Sequence, residues 1–405
     1  MSSMYKNILK LVSGNAFANL LALLAMPFLS RLYSPEVFGV YGTLFSVSAM
    51  AAIALSMRME LIILEADVVS LSLRACLLFM LCTLPVVGLL VLFYAVFIAE
   101  VPALLGVCLI STSVLICLFQ IFSNVHGKDS RFGLISISNV IRAAALVFFQ
   151  VMLFFIFGSS VESLLVALLG SYLLALVFLI EKSSCFGRRK EPRETLRQVV
   201  SYMCRKRDTA IYAGGQSLVN TLSQSLPYFI LPLYAGPEFI GLFFFADRAF
   251  RTPLTLIGQP IRQVFLSYCH RESDSAIQKK YFYKLTAYCF LFAFFISCFL
   301  FVFGEYTFEN LFGESYRFGG IIAAWLSVWG VGAFVGFPAL ALLRARGHSK
   351  KIFYIESWFT LLKGIALIVS GIFYAEPLSS IVVFSLISAM MGLYLFNVGR
   401  KSLQV

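Results

Sequence analysis

Of 405 residues, 60% are hydrophobic, 16% aromatic and only 13% charged, against about 25% charged in an ordinary soluble domain. That balance excludes a soluble globular chain and predicts an all-α, polytopic membrane protein. The formal charge of +12 would suggest nucleic acid in a soluble chain, but here the basic residues fall between hydrophobic runs, where they act as topology signals, so no nucleic-acid partner is expected.

A spanning helix needs about 20 mostly apolar residues. Twelve runs meet that need: residues 8–32, 38–64, 71–98, 101–123, 132–157, 161–180, 208–233, 239–266, 281–303, 318–343, 352–373 and 378–398. Lys6 precedes the first run and Lys10 lies at its start, and the run continues past Pro27 without a small-residue cleavage site. It therefore reads as a membrane helix and not as a signal peptide. With the N-terminus in the cytoplasm, the Lys and Arg of the connecting segments and helix ends fall on the cytoplasmic side except Arg31 and Arg317. This positive-inside bias predicts cytoplasmic termini at both ends.

The long segment 181–207 is basic and cytoplasmic, and it reads as a linker between a six-helix half at 1–180 and another at 208–405. An internal repeat supports the halves. Gly14 to Asn19 lines up with Gly215 to Asn220, Leu32-Tyr33 with Leu233-Tyr234, and, after one inserted residue, Pro35-Glu36 and Gly39 with Pro237-Glu238 and Gly241. An even number of helices per half gives both the same orientation, as in parallel-repeat transporters, with substrate expected between them.

The eighth run departs from the rest, because it carries Asp247, Arg248, Arg251 and Arg262 together with Pro253 and Pro260. Charge at membrane depth normally faces a bundle interior or a wet cavity. The spacing of Asp247, Arg248 and Arg251 puts all three on one side of a helix, where the carboxylate neutralises part of the positive charge. Arg142, Arg248, Arg251 and Lys363 lie near the middle of their runs, at about 1.5 Å of rise per residue. Arg58, Glu60 and Arg262 lie near the cytoplasmic ends, and an offset of 202 sets Glu60 against Arg262. They read either as a cavity mouth or as interfacial residues snorkelling to water. Six bases against the two carboxylates Glu60 and Asp247 leave an excess of positive charge that calls for an anion.

Gln216, Asn220 and Gln224 recur every four residues in the seventh run, and Asn15 and Asn19 repeat that spacing in the first. Such stripes serve either as hydrogen-bond glue between helices or as a sugar-binding wall. Asp247 and Glu60 are also candidates for a coupling proton or sodium ion. The nine cysteines have no metal-ligand spacing, and no nucleotide-binding, zinc-hydrolase or serine-hydrolase motif occurs, so neither a cofactor nor an enzyme activity is expected.

The stretch 27–60, PFLSRLYSPEVFGVYGTLFSVSAMAAIALSMRME, resembles the N-terminal signature of bacterial polysaccharide-unit flippases. These are the O-antigen or Wzx-type translocases of the multidrug/oligosaccharidyl-lipid/polysaccharide exporter superfamily. The motif covers the first two helices, and the rest of the likeness is one of architecture. The resemblance implies a lipid-linked oligosaccharide, built on undecaprenyl diphosphate, turned from the cytoplasmic to the periplasmic face of the cell inner membrane for O-antigen lipopolysaccharide or other polysaccharide assembly. It also implies contact with membrane lipid, a polysaccharide polymerase and a chain-length regulator. Basic cavity residues of such families are taken to meet the diphosphate, and depth assigns that role here to Arg142, Arg248, Arg251 and Lys363. Arg58 and Glu60 alone among the candidates lie within the matching stretch.

Three other readings compete. A multidrug-type exporter on the same fold would favour buried carboxylates over buried arginines when its cargo is cationic. A polymerase or ligase would want a large periplasmic loop, which this pattern lacks, and a scaffold would have no use for six buried bases.

Overall fold

The computed structural model describes residues 2–66, 68–183, 195–271, 275–374 and 376–403. Fourteen α-helices lie among the described residues, and the spanning ones follow from one constraint: hydrocarbon offers no partner for backbone N–H and C=O groups, so each spanning segment must satisfy its own. They are α1 (Ser2–Leu32), α2 (Pro35–Ser56), α3 (Ile62–Glu65), α4 (Val69–Phe93), α5 (Ala103–Lys128), α6 (Phe132–Phe157) and α7 (Val161–Glu181). Then come α8 (Leu196–Arg205), α9 (Gly215–Ile230), α10 (Pro237–Arg271), α11 (Ser275–Phe312), α12 (Gly319–Ala345), α13 (Ser349–Tyr374) and α14 (Pro377–Ser402). No strand occurs among the described residues. By length and composition, 10 of these helices can cross a membrane. The seventh and eighth runs are helical too, but α9 has only 16 residues and α10, at 35, carries the charged cluster.

Two expectations are revised. The second run is not one helix: α2 stops at Ser56, Met57 (φ 44°) and Arg58 (φ 58°) turn left-handed, and a 3₁₀ turn at Met59–Leu61 leads into α3. The segment 181–207 is not wholly a linker. Residues 184–194 lie outside the described residues, but Leu196–Arg205 forms α8, opened by the Gln198 side chain accepting from the Thr195 backbone N–H at 2.8 Å. Val199 of α8 is buried, and Tyr202 and Met203 pack on a core cluster, while Leu196, Arg197 and Arg205 are exposed. That division makes α8 amphipathic.

The helices gather into two compact units, one of Met1–Ala25 with Thr43–Thr221, the other of Met26–Gly42 with Leu222–Val405. In the first, α7 packs on α5 and α6, and α4 packs on α5 and α8. Its core cluster joins Leu55, Met59, Ile62, Ile63, Cys76 and Cys117.

In the second unit, α12 is the hub, flanked by α10, α11 and α14. Small residues let these backbones touch: a Cβ on Gly392 would lie 1.9 Å from the Gly332 carbonyl oxygen. The starts of α2 and α10 also meet here. Both open on a repeat-related proline, Pro35 and Pro237, whose fixed φ suits a first helical turn. A Cβ on Gly39 would lie 1.9 Å from the Pro237 oxygen, and one on Gly241 1.7 Å from the Pro35 oxygen. Aromatic rings surround this crossing: Phe38 lies 4.7 Å from Phe245, Phe245 lies 4.5 Å from Tyr316, and the Tyr316 hydroxyl donates to the Tyr33 carbonyl at 2.8 Å.

Candidate functional site

The second unit collects most of the predicted charges on α10 and α13, with α9 supplying polar partners. Asp247 and Arg251 stand one turn apart on α10, and both Nε (3.0 Å) and Nη2 (2.7 Å) of Arg251 donate to Asp247 Oδ1. The Tyr228 hydroxyl donates to the other oxygen, Oδ2, at 3.2 Å. Asp247, only 5% exposed, is thereby satisfied on both sides. Arg251 is satisfied as well, since its Nη1 donates to Gln224 Oε1 and its guanidinium lies 4.9 Å over the Trp329 ring. Arg248 lies 5.1 Å over Phe244.

Lys363 is different. Its side chain is 3% exposed, its Nζ donates to Ser223 Oγ at 3.1 Å, and it sits 5.6 Å from the Phe384 ring centroid. No carboxylate lies within ion-pair range of it among the described residues. Ser223 and Gln224 are neighbours on α9, so that helix brings Lys363 and Arg251 close enough for their charges to repel.

The charge count needs a correction. Glu356, seven residues before Lys363 in α13, is a third buried carboxylate at 9% exposure, with Thr360 between them on the same face. Its charge acts on both Arg262 and Lys363, and Arg262 also feels Arg344. It was visible in the sequence, inside the run 352–373 and at helical spacing from Lys363. Three carboxylates, not two, therefore offset the buried bases.

The remaining candidates lie in the first unit or on the part of α9 that belongs to it. Arg142 lies 5.2 Å over the Tyr172 ring and has no carboxylate partner among the described residues. One turn before it on α6, Asn139 donates to Asn15 Oδ1 at 2.7 Å, so Asn15 acts as interhelical glue. Asn19 and Gln216 are half-buried and Asn220 is exposed. Arg58 reaches Glu60 at 3.4 Å and donates from Nε to Ser217 Oγ at 2.9 Å. Arg58 and Glu60 thus belong to one unit and Arg262 to the other. Tyr228, Ser223 and Trp329 were missed because their partners are set by packing across helices, for which no periodicity gives a signal.

A family model described as polysaccharide biosynthesis protein matches residues 28–318. This chain belongs to that family. The match takes in all but the first residue of the stretch on which the flippase resemblance rested and bears that resemblance out. No curated protein sequence matches the chain. Among solved structures, the lipid II flippase MurJ in an inward closed conformation aligns with a TM-score of 0.73 at 13% identity, covering 98% of this chain and 87% of that one. An inward-facing multidrug resistance MATE family transporter of the MOP superfamily aligns at 0.60 and 14%, covering 100% and 95%. A MOP superfamily transporter from Pyrococcus furiosus, whose report suggests a different function from the reverse polarity of its binding pocket, aligns at 0.60 and 14%, covering 99% and 96%. The polysaccharide biosynthesis protein thus has a MOP-type fold. Family and fold support a multi-pass membrane protein of polysaccharide biosynthesis.

Proposed function

We propose that this polysaccharide biosynthesis protein flips an undecaprenyl-diphosphate-linked oligosaccharide from the cytoplasmic to the periplasmic leaflet of a bacterial inner membrane, for O-antigen or other surface polysaccharide assembly. The observation that carries the reading is Lys363, a buried ammonium with no carboxylate in ion-pair range among the described residues, beside the satisfied Asp247–Arg251–Gln224 set. A buried unpaired charge is costly unless a partner arrives. A diphosphate supplies that partner, and its sugars and phosphates are the part of the substrate that cannot cross hydrocarbon alone. The polyprenyl tail stays in lipid.

Lys363, Arg251, Arg248 and Arg142 are the proposed diphosphate contacts, with Arg251 held in place by Asp247. Asn15, Asn19, Gln216, Asn220 and Gln224 are the proposed sugar contacts, with Asn15 and Gln224 also positioning Asn139 and Arg251. Two six-helix halves, 1–180 and 208–405, joined by the basic segment 181–207, would alternate access with both termini cytoplasmic. The positive-inside bias supports that orientation, and the name of one solved neighbour, a lipid II flippase, fits a lipid-linked cargo. A drug exporter with cationic cargo is less well supported, because the buried bases outnumber the buried carboxylates Glu60, Asp247 and Glu356, and Asp247 is already held by Arg251 and Tyr228. The test is complementation of a gene deletion: lipid-linked oligosaccharide should accumulate on the cytoplasmic face, and the wild-type chain should clear it while Lys363→Met does not. Unchanged surface glycan in the deletion, with new sensitivity to cationic drugs, would favour the exporter.

A further inference from the structure

The long helix α11 carries its own measure of the bilayer. Residues 285–304 hold no charged side chain, and the exposed Lys284 and Glu305 bound them. These two lie 21 residues apart, about 30 Å along a helix, which matches the hydrocarbon thickness of about 30 Å. Between and just beyond them Phe295, Phe299, Val302 and Tyr306 stay exposed at helical spacing, the face of a helix that borders lipid. Lys284 therefore marks one membrane surface and Glu305 the other.

At the Glu305 surface α11 and α12 touch, since a Cβ on Gly320 would lie 2.3 Å from the Gly304 oxygen. Beside this contact they enclose a cavity of about 480 Å³, within the roughly 300–1,000 Å³ of small-molecule sites. Its apolar wall includes Phe301, Val302, Ile321 and Trp325, with the Phe301 and Trp325 rings edge to face at 5.3 Å. Its charged wall is Glu305, Glu309 and Arg317. Along both helices the apolar residues lie on the hydrocarbon side of the charged ones, so the cavity is greasy toward the bilayer and ionic toward water. Arg317 Nε meets Glu305 Oε2 at 3.0 Å and Glu309 Oε2 at 3.7 Å, and Glu314 also acts on the guanidinium. Both pairs use Nε, which leaves the Nη donors for another acceptor. The side chains of Arg317, Glu305 and Glu309 are 58%, 46% and 41% exposed, and ion pairs this open hold weakly against a competing ligand.

We propose that this cavity binds a phospholipid whose headgroup joins a phosphate to a primary ammonium, of the phosphatidylethanolamine kind. The ammonium donates to Glu305 and Glu309, the phosphate accepts from the Nη groups of Arg317, and an acyl chain runs along Phe301, Val302 and Trp325. Each headgroup charge meets its opposite at the depth where headgroups lie. A purely anionic headgroup would face two carboxylates, with Glu314 nearby, against one guanidinium, and a choline nitrogen has no N–H to donate. On the proposed orientation the lipid belongs to the periplasmic leaflet. The site shares no residue with the buried cations of α10 and α13, so it stands whether or not the chain flips a lipid-linked oligosaccharide.

The experiment is native mass spectrometry of the purified full chain, released from micelles that hold equal amounts of phosphatidylethanolamine, its N-methyl and N,N-dimethyl forms, phosphatidylcholine and phosphatidylglycerol. The wild type should retain phosphatidylethanolamine above the others, and retention should fall with each methyl group added to the nitrogen. That series alters only the lipid, so its reading does not depend on how any variant folds. Glu305→Gln combined with Glu309→Gln, both at exposed positions, should lower phosphatidylethanolamine retention by about tenfold at an unchanged melting temperature. Equal retention of all five lipids by the wild type overturns the proposal, as does a preference for phosphatidylglycerol. A folded double variant that keeps the wild-type preference overturns it as well.

Discussion

Two cations of the second unit differ in what holds them, and so in what their loss should do. Arg251 is bound to Asp247 and Gln224. Arg251→Ala leaves Asp247 buried with only the Tyr228 hydroxyl, and stranding one member of such a pair costs about 3–5 kcal/mol. Thermal unfolding of the solubilised protein should drop clearly for this variant, and the double variant Arg251→Met with Asp247→Leu should recover much of the loss. Lys363→Met removes a buried charge with no ion-pair partner among the described residues at nearly constant volume, so stability should hold or rise while surface glycan is lost. A glycan-competent Lys363→Met protein would count against the anion site. The Asp247–Arg251 pair was legible in the sequence because its i, i+4 spacing is local. The hold of Ser223 on Lys363 spans 140 residues and left no local trace, and Glu356 was legible but left out of the count.

At the scale of elements, the twelve apolar runs all became helical because hydrocarbon leaves a spanning chain no other solution. What hydropathy could not reveal were the interruptions. The break at Met57–Arg58 depends on tertiary contacts with α9, and α8 hid inside a charged segment, although its Thr195-to-Gln198 spacing before an apolar pair was a readable start signal. The crossing of α2 and α10 makes the repeat physical, since the two aligned glycines are the ones that let these backbones meet. Gly241→Ala should lower stability by about 1–3 kcal/mol or more, as overpacking does, read as a reduced protein level in membranes and a lower melting temperature. Gly133→Ala on α6 meets nothing within 4 Å and should leave both unchanged. If the two variants behaved alike, the close approach at Gly241 would not be a constraint on the fold.

For the molecule as a whole, composition alone set the membrane class, and the family match agrees with the motif in the first two helices. The division of labour among the charged residues needed the structure, which leaves Arg142 and Lys363 with no carboxylate in ion-pair range among the described residues and binds Arg58 and Arg251 to theirs. On the proposed orientation, an inside-negative potential favours outward movement of an anionic headgroup by about 2.3 kcal/mol per charge per 100 mV. Collapsing the potential in proteoliposomes should therefore slow flipping, and an unchanged rate would mean that the headgroup charge does not cross the field. The central claim is that Lys363 receives the diphosphate of a lipid-linked oligosaccharide. Its most direct test is a flipping assay with the purified chain in proteoliposomes, using an undecaprenyl-diphosphate-linked oligosaccharide made accessible to a membrane-impermeant probe only after translocation. The account expects wild-type protein to expose the substrate and Lys363→Met, folded and equally stable, to leave it protected. Equal exposure by both proteins would contradict it.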